Sequence, residues 1–98
     1  MRLIFAPEAE EDIEKIGDHI ARNDPVRAED FVDEIQEACE RLTTFPRRFP
    51  LAHRFGRSDL RRCICGRYLI FYRVEPDIVR IIHILHAASD YGPLIDNL

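Results

Sequence analysis

Between Pro7 and Arg22 the apolar residues Ala9, Ile13, Ile16 and Ile20 recur at spacings of 4, 3 and 4. That is one stripe of an amphipathic helix with its charges on the remaining faces. Pro7 suits the first helical turn, and Glu8, Glu10, Glu11 and Asp12 suit the positive end of the helix dipole. The triplet Asn23-Asp24-Pro25 then stops one helix and starts another, with Asp24 as N-cap and Pro25 as first residue. Ala28, Phe31, Val32, Ile35, Ala38, Cys39 and Leu42 form a broader stripe on this second helix, which Pro46 ends. So short a connection predicts an antiparallel helical hairpin.

The rest of the pattern is of strand type. Arg2 to Phe5 is a short β-type run ahead of the hairpin. Leu60 to Ile64, Tyr68 to Val74 and Ile78 to His86 follow it, separated by turns at Cys65-Gly66-Arg67 and Glu75-Pro76-Asp77. Leu69 and Phe71 share one face of the central run, and Tyr68, Ile70 and Tyr72 share the other. The order β-α-α-β-β-β predicts an α+β fold: an N-terminal strand, an antiparallel helical hairpin, then a three-stranded antiparallel meander in a mainly antiparallel sheet. The hairpin is expected to cover Leu69 and Phe71, leaving Tyr68, Tyr72 and some arginines for a partner. Pro46 to Asp59 reads as a basic loop with four arginines, anchored by Phe49, Leu51 and Phe55. The tail after His86 keeps Tyr91, Leu94 and Ile95 among turn residues, free to pack across the domain or to await a partner.

Length bounds the organisation: 98 residues make one domain, spanning 1–98, without internal repeats. No apolar run approaches the roughly 20 residues of a membrane span. The start, Met-Arg-Leu-Ile-Phe-Ala followed at once by Pro7 and acids, does not read as a signal peptide. A cytoplasmic protein is therefore expected. The net charge of -4 hides an asymmetry: residues 1–45 hold 13 acidic and 5 basic side chains, and residues 46–98 hold 5 acidic and 9 basic. A nucleic-acid binder usually shows a strongly basic domain, so sequence-specific nucleic-acid binding is not expected. The second half can still present a local basic patch.

Chemistry-bearing motifs are sparse. Three cysteines without regular spacing are not a disulfide framework, and Cys63 and Cys65, two apart on a strand, lie too far apart for relaxed disulfide geometry. They read as free thiols. His83 and His86 are three apart on a strand and point to opposite faces, so no metal is expected. No phosphate loop, nucleophile elbow or other cofactor motif occurs, and no cofactor is expected. Arg61, Arg73 and Arg80 come from three successive β-type segments. Such arginines can clamp a phosphate, meet an acidic protein partner, or form surface ion pairs.

The stretches "APEAEEDIEKIGDHIARNDPVRAEDFVDEI", "LTTFP", "LRRCICGRYLIFYRV" and "VRIIHILHAASD" together resemble the ParE/RelE superfamily of toxins, most closely its ParE-like branch. The resemblance covers Ala6 to Asp90 and rests on the order and spacing of these segments. It implies a compact toxin of a type II toxin–antitoxin system, a plasmid-stabilisation type of module, neutralised by an antitoxin that wraps it. ParE members poison DNA gyrase by binding, and on that reading Arg61, Tyr72, Arg73 and Tyr91 are the candidate partner-binding residues. RelE members cut messenger RNA on the ribosome. On that alternative Arg61 and Arg73 would be anion clamps, and His86 or Tyr91 would supply acid–base groups. A third reading is an inactive relative kept as an interaction module. The chain departs from many relatives in having Ser89, not arginine, before Asp90, and its one lysine is Lys15 in the first helix.

Overall fold

The computed structural model describes residues 1–52 and 59–96. Among these residues seven elements follow one another: β1 (Arg2–Phe5), α1 (Pro7–Ala21), α2 (Pro25–Arg41), β2 (Leu60–Cys65), β3 (Tyr68–Val74), β4 (Ile78–His86) and α3 (Gly92–Asp96). The expected α+β architecture is present. The sheet order is β1-β4-β3-β2, so the N-terminal strand pairs with the last one, in parallel, and the other pairs are antiparallel.

The helix boundaries follow from local chemistry. Pro7 and Pro25 each occupy the first turn, where a missing N–H costs nothing. The Asp24 carboxylate accepts from the Arg27 N–H at 3.0 Å, capping α2. At the β2–β3 turn Gly66 has φ +58, and a Cβ there would stand 3.2 Å from Phe31 Cε1. The positive φ favours glycine, and an added Cβ would press on the Phe31 ring.

Each face of the sheet carries its own core. Ile70, Tyr72, Cys63, Val79, Ile81 and Ile84 pack beneath Ile16, Phe31, Ile35 and Leu42 of the hairpin. Leu69, Phe71, Leu60 and Ile82 pack on the opposite face beneath Tyr91 and Ile95 of the tail, with Ala52. This reverses the expected assignment of faces. The alternation along β3 is as predicted, but the hairpin covers Tyr68, Ile70 and Tyr72, and the tail covers Leu69 and Phe71. Alternation sorts residues into two sets without saying which set meets the helices, and here both sets are apolar. The tail is the element that decides. Tyr91 is 6 % exposed and Ile95 0 %, while Leu94 beside them is exposed.

One irregularity shapes the far end of β4. Phe71 lies opposite His83 and Tyr72 opposite Ile81, so Ile82 is an extra residue in the ladder. β1 has ended at Phe5, opposite Ile81, and leaves the next edge of β4 without a strand partner. Asp12 of α1 takes the strand's place. Its Oδ2 accepts from the Ile84 N–H at 2.9 Å and lies 2.6 Å from His83 Nδ1.

Candidate functional site

Arg61, Tyr72, Arg73, His86 and Tyr91 do not converge. Arg61 and Tyr72 are cross-strand neighbours on the hairpin side. The Arg61 Nη1 donates to the backbone carbonyls of Arg47 and Phe49 at 3.0 and 2.7 Å, and the Tyr72 hydroxyl donates to Pro46 O at 2.6 Å. Together they pin the start of the basic loop. The pinned segment then runs along the outer edge of β2, with Ala52 N–H donating to Leu60 O and Arg62 N–H to Pro50 O. It thereby shields an edge that would otherwise invite strand pairing. Phe49 is half-buried against the hairpin core and Leu51 bridges to Arg61. The expected anchor Phe55 lies outside the described residues.

Tyr72 is fully buried, so its ring is part of the core and offers no surface to a partner. Burial pushes its hydroxyl up to about 12, against the opposing pull of Arg61. Burial likewise pushes the Cys39 thiol up to about 12, and raises Cys63 and Cys65. All three are free thiols, and burial favours their protonated form.

Arg73 and Arg80 face each other across β3 and β4, on the face covered elsewhere by the tail. Arg80 grips Glu75 with two bonds of 2.6 and 3.2 Å. Arg73 reaches Asp59 at 3.4 Å and Glu75 at 3.8 Å. The Arg80 bond holds the Glu75 carboxyl below the usual carboxylate range. Two guanidinium groups thus meet two carboxylates, and the cluster carries little net charge. Sequence reasoning singled out the arginines but missed Asp59 and Glu75, whose signal was their place in the flanking turns.

Tyr91 packs against Phe71, ring centres 5.4 Å apart, under the sheet. His86 is on the other face, edge-on to Tyr68 at 5.1 Å. Its Nδ1 accepts from the Ala88 N–H at 3.0 Å. The sheet therefore separates the two groups named as acid and base. His83 and His86 have separate partners, and among the described residues no three His, Cys, Asp or Glu side chains gather as a metal site requires. Among the described residues no helix is long and apolar enough to cross a membrane.

Several cavities open on the hairpin side, and two of them reach the β2–β3 turn. Between α2 and β2 lies a cavity of about 480 Å³, lined by Glu34, Glu37, Arg41, Arg48 and Phe49 among others. Ile64 on its rim is 73 % exposed and Phe45 is 68 % exposed, unusual for residues of their size. A second cavity lies beside His86, between the hairpin and the end of the sheet.

Similarity to known proteins agrees with this geometry. No curated protein sequence matches the chain. Among solved structures, the chromosomal ParDE toxin–antitoxin system from P. aeruginosa matches at TM-score 0.76 and 20% identity, over 88% of this chain and 95% of that one. The RelB–RelE antitoxin–toxin complex from Methanococcus jannaschii matches at TM-score 0.56 and 21% identity, over 92% and 96%. At such identities these matches establish the shared fold. The family model of the ParE toxin of the type II toxin–antitoxin system parDE matches residues 3–91, nearly the whole chain, and the protein therefore belongs to the ParE toxin family.

Proposed function

We propose that this toxin acts by binding DNA gyrase in the cytoplasm and is held inactive by a cognate antitoxin. The observation that carries the reading is the dispersal of the groups a ribonuclease would use. His86 and Tyr91 lie on opposite sides of the sheet, Arg61 holds loop carbonyls, and Arg73 is paired with carboxylates. A general acid and base must both reach one reacting phosphate, and their catalytic value is lost when they cannot. A binding poison needs only a complementary surface. The exposed Ile64 on the rim of the cavity between α2 and β2, and the exposed Phe45 after α2, supply apolar anchors for a protein partner. The partly exposed Arg73 supplies a polar one.

Two assays run side by side test the reading: gyrase-catalysed supercoiling, and messenger cleavage on programmed ribosomes. Inhibited supercoiling that is relieved by the antitoxin, with messenger intact, is the expected result. Cleaved messenger with unaffected supercoiling would establish the ribonuclease instead.

A further inference from the structure

We propose that the cavity beside His86 binds a nucleotide-type ligand, a phosphate joined to a flat ring. Four elements wall it: His19 comes from α1, Arg27 and Phe31 from α2, Arg67 and Tyr68 from the β2–β3 turn and β3, and His86 from the end of β4. Its volume of about 490 Å³ falls within the range of small-molecule sites.

The lining divides into two kinds of surface. Tyr68 meets His86 edge-on at 5.1 Å and Phe31, only 6 % exposed, backs Tyr68 at 5.5 Å, so the two half-buried rings of Tyr68 and His86 give the cavity its aromatic wall. Flat bases bind such walls by stacking, whatever their sequence identity. The polar groups are all basic: His19, Arg27, Arg67 and His86 line the cavity and no carboxylate does. This separates it from the cavity between α2 and β2, where Glu34 and Glu37 offset Arg41 and Arg48.

Two details prepare the basic groups for a phosphate, while Arg27 only walls the cavity: it lies over the Phe31 ring at 5.2 Å with its charge already met by Glu34 through bonds of 3.0 and 3.5 Å. The Arg67 carbonyl accepts from the Ala87 N–H at 2.9 Å, which ties the turn to the end of β4, while its side chain is exposed. Among the described residues no carboxylate pairs with that side chain. The Ala88 N–H bond to His86 Nδ1 places the proton of the neutral ring on Nε2, leaving that N–H to donate. Arg67 and the two histidines then meet the phosphate while the rings hold the base. Gly66 permits the arrangement, since a side chain there would press on Phe31.

A free mononucleotide and the 5′-phosphorylated end of a single strand share this chemistry. The site lies on the opposite side of the sheet from Arg73 and Arg80, and it stands whether or not gyrase is the target.

Calorimetric titration of the full chain with AMP, adenosine and inorganic phosphate tests the proposal. AMP is expected to bind at least roughly tenfold more tightly than either fragment, because it alone uses both surfaces. Arg67→Ala is expected to weaken AMP by about tenfold or more and Arg67→Lys by less, through the lost charge-assisted bonds. Melting temperature should not move, since the side chain is exposed. His19→Ala gives an independent second variant, also on the surface, and should weaken AMP in the same direction. A 5′-phosphorylated oligoadenylate that outcompetes AMP, with its unphosphorylated form inert, identifies a strand end as the source. Equal binding identifies the free nucleotide. AMP binding no tighter than phosphate, or unchanged by both variants, overturns the proposal. So does an acidic peptide that binds the cavity where AMP does not.

Discussion

Asp12→Ala removes one carboxylate and leaves two donors without an acceptor. Asp12 and His83 are 14 % and 10 % exposed, so water reaches both only in part. The Ile84 N–H loses its 2.9 Å partner and the His83 ring its 2.6 Å partner. An unpaired buried donor costs roughly 1–3 kcal/mol. With partial rehydration of the site, the pair sums to about 3 kcal/mol. That is a large share of the roughly 5–15 kcal/mol that holds a small domain folded. Urea unfolding followed by circular dichroism reads it directly. At a slope near 1.5 kcal/mol per molar, the midpoint should fall by about 2 M. Asp12→Asn keeps one amide oxygen as acceptor for the Ile84 N–H, so its cost should be about half as large. A loss below about 0.5 kcal/mol for Asp12→Ala would refute the view that α1 completes the sheet edge where β1 stops, since that is the spread of ordinary surface substitutions.

Three further outcomes follow from the packing. Gly66→Ala should destabilise by about 1–2 kcal/mol in thermal melts, because φ +58 strains an L-residue and the new Cβ crowds Phe31. Tyr91→Ala should cost about 3 kcal/mol and expose Leu69 and Phe71 to a hydrophobic dye, whereas Leu94→Ala at an exposed site should do neither. Stability should fall as pH rises from about 9 toward 12. Cys39 and Tyr72 are both held at about 12 in the folded chain, so the unfolded chain loses its protons first. Cys39→Ala and Tyr72→Phe should each flatten that alkaline limb, and Tyr72→Phe should also loosen the Pro46 segment it anchors.

Secondary structure was legible because its signals are local. Pro7, Asp24-Pro25 and Gly66 act within a few residues, and they fall where the sequence places them. The strand order and the roles of polar residues depend on distant neighbours. Nothing near Tyr72 announces that the Pro46 carbonyl, 26 residues away, will accept its hydroxyl. Nothing near Arg61 shows that it will fold back onto the loop. Both read as surface anchors from size and charge alone, and both instead hold the loop against the core. The sequence leaves the tail open between packing across the domain and awaiting a partner. The apolar face of Leu69 and Phe71, left uncovered by the hairpin, decides for packing by taking Tyr91 and Ile95. The Ile82 irregularity was invisible because strict alternation assumes an unbroken ladder.

The central claim is that this ParE-family chain harms by binding, not by bond cleavage. His86→Ala tests it most directly, scored for supercoiling inhibition, for messenger cleavage and for ribosome binding in parallel. The account predicts that inhibition of gyrase persists and that messenger is intact with either protein. Cleavage by the native chain that falls roughly 10²–10⁴-fold in the variant, with ribosome binding unchanged, would contradict it, since that is the signature of a lost acid–base group.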